Sequence, residues 1–420
     1  MDLENQLNAP TKDERLSALR ALASAPAGER QPCNVNNHIH TTYSFSPYSP
    51  SMAAYKARQC GLITAGIMDH DTIAGAPEFL EAAHILGIAA TCGIECRVDF
   101  KQTPFAHRRL NNPDQAGVAY MSLHGVPSRA FGEVQAFFAP YRTARDRRNR
   151  AMAENIAALL RPFGLSFGYE RDVLPLSLWR EGGAVTERHL ALALCNTLIG
   201  RFGRGAVLLG FVEGKLKLAV PGKARDQIAD ENNPYYAYDL LGVFKGYLMP
   251  RFYVDATDEC PKPELVLDLA RRTGSISAYP YLGDVEQSVT GDKRSQTFED
   301  PYLDDLMQYL ANAGFMAVTY APTRNTHAQL ARLRELCVEH GFFQVSGEDI
   351  NSPRQGFLCE LLNDPEYHNL IESTWALIAH ERLSDREISL GMFSEAAIRD
   401  FPLMQERVDV FAAMGREMYA

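Results

Sequence analysis

The chain has 420 residues, of which 46% are hydrophobic and 22% charged, and this composition is ordinary for a globular protein with a substantial core. Its formal net charge of −10 argues against nucleic acid or an anionic membrane as a partner, because both attract basic surfaces. The acidic start is not that of a secretory signal, no apolar stretch is long enough to cross a bilayer, and the eight cysteines include no Cys-x-x-Cys pair, so we expect a cytoplasmic protein.

The first part of the chain alternates between predicted strands and predicted helices. Residues 1–31 are predicted to form an N-terminal helix and linker. Predicted strands follow at 34–41, 63–68 and 88–100, separated by helices that end at Gly61 and Gly87. This β-α-β-α-β order indicates a parallel sheet with helices outside it.

The same alternation returns late in the chain. Strands are predicted at 274–281, 315–320 and 342–345, with helices between them that end at Gly314 and Gly341. Residues 102–251 are predicted to form a mostly helical insertion, and residues 356–420 a helical C-terminal extension. The predicted fold is α/β, a distorted seven-stranded TIM-like β/α barrel built from residues 32–101 and 252–355.

Residues of metal-ligand type stand at the ends of four predicted strands. These residues are His38, His40, His70, Glu95, Asp349 and Asn351. His38 and His40 are two positions apart on one strand and therefore point to the same side. Because active sites of such barrels gather at the carboxyl ends of the strands, the pattern predicts a metal site. Mixed nitrogen and carboxylate ligands favour Zn, Mn or Fe over Mg or Ca.

In this order the motifs resemble the PHP superfamily, named for polymerase and histidinol phosphatase domains. His38, His40 and Thr41 match the opening His-x-His-Thr, and residues 69–71 match the family's Asp-His-Asp. Glu95 matches the bridging glutamate, and Asp349 matches the aspartate of the closing Ser-Asp-x-His. The resemblance covers about residues 34–100 and 270–355, and implies a distorted barrel that binds metal ions and hydrolyses phosphoesters.

The resemblance also implies individual roles. His38, His40, Glu95 and Asp349 would form a complete first metal position, and His70 would bind a second ion or position a water, so one or two ions are expected. Three histidines of the family are replaced, by Tyr279, by Asn351 and near Ser122, although His124 is close to the last position. Tyr279 is then a catalytic candidate, as a ligand, proton donor or hydrogen-bond donor, or it fills the space of a lost metal.

Substrate contacts are predicted at four positions. Arg324, in the loop after a predicted strand, suits a phosphate or carboxylate by bidentate pairing, unless it is an exposed loop residue. Arg188 and His189 lie in a stretch that resembles Gly-Arg-Pro-His of PHP phosphoesterases, and Asn351 lies beside the predicted metal. The arginine run at 142–150 is either an anion-binding face or a solvated helix face.

The leading hypothesis is a metal-dependent hydrolase that acts on a phosphomonoester or phosphodiester through a metal-activated water. Its substrate would be a small anionic, phosphorylated molecule. Two alternatives remain open: hydrolysis of a C–N bond on the same scaffold, and a PHP-fold binding or regulatory protein without catalysis.

Overall fold

The computed structural model describes residues 3–284 and 297–419. The ends of the predicted N-terminal and C-terminal segments, at residues 1, 2 and 420, lie outside the described residues. The same holds for residues 285–296 of the predicted barrel.

Seven strands in the described part of the chain form one sheet in the order β1 to β7. They are β1 Val35–Ile39, β2 Thr64–His70, β3 Ala89–Asp99, β4 Val118–His124, β5 Ile276–Pro280, β6 Ala317–Tyr320 and β7 Phe343–Ser346. All neighbours pair in parallel except β4, which is antiparallel to both β3 and β5. The seven-stranded barrel expected from the sequence is confirmed.

The barrel nearly closes through the segment that follows β7. The backbone N–H of His40 donates to the carbonyl of Ile350 at 3.0 Å, and the N–H of Ile350 donates to the carbonyl of His38 at 3.0 Å. These bonds join the first strand to the last at its carboxyl end, where the predicted metal ligands lie.

Strand β4 corrects the predicted boundaries, because it lies within residues 102–251, which were predicted as a mostly helical insertion. It returns from β3 as an antiparallel neighbour and therefore needs no crossover helix. Six of its seven residues are buried, so the alternation of polar and apolar residues that marks a half-buried strand is missing. The long helices of the insertion begin only after β4.

The described residues contain fifteen α-helices. These are α1 Leu3–Gln6, α2 Lys12–Leu22, α3 Pro50–Gln59, α4 Ala76–Leu86, α5 Phe131–Leu160, α6 Glu187–Phe202, α7 Ala206–Gly214, α8 Gly222–Ala229, α9 Tyr236–Val243, α10 Pro263–Thr273, α11 Leu303–Ala313, α12 His327–Glu339, α13 His368–Arg386, α14 Glu395–Asp400 and α15 Met404–Glu417. Helix α4 ends as predicted, with Gly87 in the left-handed region at φ 64°.

Two hydrophobic clusters account for most of the buried apolar side chains. The larger one joins the strands to the helices around them and to α13 and α15. The second, between Met152 and Phe252, is formed almost entirely by the helices of the insertion, to which Phe45 adds its ring. The insertion thus has a core of its own. It contacts the barrel through apolar residues of α5, such as Val134 and Phe138, which belong to the larger cluster, and through polar side chains, which are described below.

No single helix in the described ranges has the length and apolar composition to span a membrane. One sharply bent pair, α6 with α7, passes that test of length and composition together.

Candidate metal centre and cavity

The structure brings all five predicted metal ligands together. The Nε2 atoms of His38 and His40 are 3.2 Å apart, and His40 Nε2 lies 3.1 Å from Asp349 Oδ1. Glu95 Oε2 lies 3.1 Å from His70 Nδ1 and 4.0 Å from His38 Nε2. Candidate ligand atoms of His38, His40 and Glu95 all lie within 4.8 Å of one another. Five side chains from four strand ends therefore face one small volume.

The close approach of β7 to β1 explains how Asp349 reaches this cluster. A Cβ atom on Gly347 would lie 2.6 Å from the Cβ of His38, so any other residue would push the two strands apart. With glycine there, Ile350 can exchange backbone hydrogen bonds with His38 and His40. Asp349, the preceding residue, is thereby placed beside His40.

A chain of hydrogen bonds fixes the His40 imidazole from behind. Its Nδ1 lies 3.3 Å from the hydroxyl of Ser44. Ser44 donates to Asp69 at 2.6 Å, and Asp69 also accepts from the hydroxyl and the backbone N–H of Thr41 at 2.6 and 2.7 Å. Asp69 thus supports His40 and leaves its Nε2 directed into the cluster, as outer partners of metal-bound histidines do.

The electrostatics of the cluster favour the deprotonated nitrogen donors that metal binding requires. Burial lowers the pKa of His38 to about 4 and, helped by the charge of His40, lowers the pKa of His70 well below its ordinary value. Burial also raises the pKa of Glu95 to about 7, an effect to which the charge of Asp349 adds. Neutral imidazoles and closely spaced acids suit a divalent cation, which would neutralise the carboxylates.

His40 and Asp349 form the charged part of the cluster. Burial lowers the pKa of His40, but its hydrogen bond to Asp349 and the nearby carboxylates outweigh this effect, and the pKa is raised. The converse holds for Asp349, because partial desolvation at the cavity wall would raise its pKa, but the contact with His40 outweighs that effect and keeps the pKa well below the ordinary value. The Asp349 side chain is 50% exposed and lines a cavity, so it is accessible to a ligand.

A cavity of about 830 Å³ opens above the cluster, a volume typical of small-molecule sites. His38, His70, Glu95 and Asp349 line one part of it, and residues of the insertion line another. Three predicted substrate contacts also line it: Arg188, Arg324 and Asn351. Asn351 donates to Asp349 Oδ1 at 2.6 Å, and Arg324 donates through Nε to the carbonyl of Leu282 at 3.2 Å.

Tyr279, the predicted catalytic tyrosine, does not line this cavity. Pairing places Ala278 opposite Ser122, and Ser122 opposite Glu95, so these residues share the inner face. Tyr279 is the next residue on β5 and therefore points to the other face, where its hydroxyl accepts from the backbone N–H of Asn111 at 3.3 Å. The catalytic role that the family's Ala-His-Pro motif suggested for Tyr279 therefore does not fit its position, because side chains alternate between the two faces of the strand.

His189, predicted to face the substrate, is also absent from the cavity lining. It is buried in the first turn of α6, where its Nδ1 accepts from the backbone N–H of Thr186 at 3.0 Å. Its ring lies edge-on to Phe45 with the centroids 5.1 Å apart. In this structure His189 is a helix cap.

The arginine run divides between its predicted interpretations, because Arg145 lines the cavity whereas Arg147 is exposed. Arg145 and Arg148 are buried and form ion pairs with Glu187, while Arg145 also contacts Asp71 and Arg148 contacts Glu259. Arg145 and Arg148 therefore supply basic groups to a buried ionic network between the insertion and the barrel.

Tyr120 and Arg97 are among the cavity residues that sequence reasoning missed. Tyr120 lies on β4 and Arg97 lies opposite it on β3, on the same face as Glu95. Arg97 could have been predicted, because it lies two positions after Glu95 on a predicted strand and therefore points to the same side. Tyr120 could be found only by recognising β4.

The fold and the cluster define a β/α barrel protein with a metal-type site at the carboxyl ends of its strands. The chain carries a PHP domain, since residues 36–169 match the model of that domain. No curated protein matches the chain.

Among the solved structures that share the fold are two bacterial proteins. One, from Bifidobacterium adolescentis, is assigned as a metal-dependent phosphoesterase and is 18% identical, with a TM-score of 0.50 over 82% of this chain and 97% of that chain. The other is an amidohydrolase from Chromobacterium violaceum with bound sulfate and no metal. It is 18% identical, with a TM-score of 0.52 over 78% of this chain and 90% of that chain. At these identities the likeness concerns the fold alone.

Proposed function

We propose that the protein is a metal-dependent hydrolase that cleaves phosphoesters. The observation that carries the proposal is the convergence of three histidines and two carboxylates on one side of a large cavity. The PHP domain supports it, as does the assignment of one similar structure as a metal-dependent phosphoesterase. We place the enzyme in the cytoplasm, acting on a small anionic molecule and not on nucleic acid or a membrane.

The residues present fit a divalent metal. Two imidazole nitrogens face each other at 3.2 Å with carboxylates on both sides, an arrangement that a shared cation stabilises. The first ion would be held by His38, His40, Glu95 and Asp349. His70, which contacts Glu95 at 3.1 Å, would bind a second ion. Zn, Mn or Fe suits this donor set, and such an ion when bound acts as a Lewis acid and lowers the pKa of water.

The rest of the site binds and orients the substrate. Arg188 and Arg324 line the cavity from two different segments of the chain and would pair with an anionic group. Asn351 donates to Asp349 and so keeps that carboxylate directed at His40.

Metal content and turnover of the wild type and His38→Ala test the proposal. The wild type, purified without added metal, should carry about one or two Zn, Mn or Fe per chain. Metal-loaded protein should hydrolyse p-nitrophenyl phosphate or bis(p-nitrophenyl) phosphate. His38→Ala should lose the metal and reduce turnover by about 100-fold or more, because it removes one of the two facing imidazoles. His84→Ala, on the exposed side of α4, is the matched control and should change neither quantity.

Other results would support the alternatives. A metal-bearing protein that cleaves amides and no phosphoester would point to C–N bond hydrolysis, in line with the similar amidohydrolase structure. A protein that binds no metal after reconstitution with Zn, Mn and Fe would contradict the proposal and favour a binding protein on this fold.

A further inference from the structure

Tyr120 is held rigidly at the edge of the metal-type cluster. Its backbone N–H donates to Asn111 Oδ1 at 2.7 Å, and Asn111 Nδ2 donates to its carbonyl at 3.0 Å. Strand pairing puts its side chain on the same face as Glu95, and its ring centroid lies 5.7 Å from that of His70. The side chain lines the cavity, so a ligand beside His70 would meet the phenol.

Arg97 determines which hydrogen-bonding group Tyr120 offers to such a ligand. Arg97 Nε donates to the phenol oxygen at 3.3 Å, and the guanidinium carbon is 5.5 Å from the ring centroid. The Arg97 Nη1 atom is bound to Glu187 at 2.5 Å and to Glu259 at 3.0 Å. Because these buried ion pairs fix the guanidinium, the phenol oxygen keeps its acceptor role toward Arg97.

The hydroxyl hydrogen of Tyr120 is then left for a ligand. Within residues 3–284 and 297–419 the hydroxyl has no hydrogen-bond partner besides Arg97. An ordinary phenol has a pKa of about 10 and keeps its proton at neutral pH. A hydroxyl that already accepts from a cation is polarised and donates more strongly.

We infer that Tyr120 donates a hydrogen bond to a non-bridging oxygen of the substrate's phosphoryl group, beside His70. The inference rests on the proposed function and extends it to a residue that no sequence motif marks. The O–H bond stays intact, so the contribution is electrostatic. Charge on the phosphoryl oxygens must be stabilised in the transition state, and a preorganised donor in a site that excludes water stabilises it most effectively.

The test compares Tyr120→Phe with Tyr253→Phe in full-length, metal-loaded protein. Tyr253 is a matched control, because its ring packs on Arg148 of the same arginine network, at 5.4 Å, but it does not line the cavity. Tyr120→Phe should lower kcat for p-nitrophenyl phosphate by about 100-fold and raise KM, because the bound substrate also loses the hydrogen bond, with metal content nearly unchanged. It should also weaken the binding of inorganic phosphate, measured by calorimetry. Tyr253→Phe should match the wild type in each measurement.

The possible outcomes separate this inference from the proposed function. If the wild type hydrolyses phosphoesters and Tyr120→Phe retains its kcat and phosphate affinity, the inference is overturned and the proposed function stands. Equal losses in both tyrosine variants would assign the effect to packing on the arginines and would also overturn it. A metal-loaded wild type that neither hydrolyses a phosphoester nor binds phosphate would overturn both.

Discussion

Arg188 is a half-buried cation in the wall of the cavity. Its charge helps to keep the pKa of Asp349 low, and it opposes the rise to about 12 that burial causes in the pKa of Tyr238. Within the described residues no hydrogen bond or ion pair of its guanidinium is found. A cation so close to the cluster, and not neutralised by a bonded carboxylate, is well placed to pair with an anionic substrate.

Replacing Arg188 should therefore weaken substrate binding more than it slows catalysis. We expect Arg188→Gln to raise KM for a phosphoester by about 10-fold, the loss of a charge-assisted hydrogen bond, with kcat changed far less because ground state and transition state lose the same contact. Arg188→Lys keeps the charge but loses the planar guanidinium, so its KM should lie between those of the wild type and Arg188→Gln. Initial rates of metal-loaded protein measure both constants. An unchanged KM in Arg188→Gln would remove this residue from the binding site.

At the level of single residues, the sequence revealed the metal-type cluster because its members end predicted strands. His38 and His40 share a face by their spacing, and Glu95 and Asp349 follow at other strand ends. Tyr279 shows the limit of this reasoning, since matching a motif does not decide which face of β5 a side chain occupies. A one-residue difference in register turns a side chain from the inside of a barrel to the outside.

Helix α6 depends at its first turn on His189. The imidazole accepts from the backbone N–H of Thr186 at 3.0 Å and lies 3.2 Å from the Thr186 hydroxyl. This side chain occupies the place that Glu or Gln takes in a capping box. The ring also packs edge-on against Phe45, which belongs to the loop after β1. The contact thus links the start of the helix to the barrel.

We expect His189→Ala to lower the free energy of unfolding by about 1–3 kcal/mol, through the lost cap and the lost packing. His189→Gln keeps an acceptor at the same helical position and should lose less. Neither variant should change KM, because His189 does not line the cavity. Urea unfolding and initial rates give the two quantities. A raised KM without a loss of stability would return His189 to the substrate-binding role that the sequence suggested.

Most elements of the barrel could be predicted because glycines mark the helix ends and apolar runs mark the strands. Gly87 and Gly314 end α4 and α11 in the left-handed conformation. Strand β4 was missed because it is buried on both faces and because 151 residues separate its last residue, His124, from Ile276, the first residue of β5. Pairing over such a distance is set by tertiary packing, which no local pattern reveals.

For the whole molecule, the buried ionic network is the main polar link between the insertion and the barrel. Its acids and bases are Asp71, Arg97, Arg145, Arg148, Glu187 and Glu259. Arg145 on α5 joins Asp71, which is 74 residues earlier and follows β2, to Glu187, 42 residues later on α6. The sequence showed only the arginine run, because partners this distant cannot be assigned from one sequence.

The same network supports the turn that follows His70. Asp71 has a left-handed backbone at φ 57°, a conformation that aspartate tolerates better than most residues but that still costs free energy. The side chain of Asp71 accepts from Arg145, its carbonyl accepts from Arg142 at 3.0 Å, and its N–H donates to the carbonyl of Glu95 at 2.8 Å. The insertion therefore helps to hold the strand end that carries His70.

Removing Arg145 should destabilise the folded protein strongly, because Asp71 and Glu187 would stay buried with fewer opposite charges. We expect Arg145→Met to lower the free energy of unfolding by about 3–5 kcal/mol, measured by urea unfolding. Arg147→Met, two positions along α5 at an exposed site, is the matched control and should change it by less than about 0.5 kcal/mol. The difference should persist in metal-loaded protein, since Arg145 is not among the expected metal ligands. Equal stabilities for the two variants would show that the network contributes no net stability and that hydrophobic packing alone holds the insertion on the barrel.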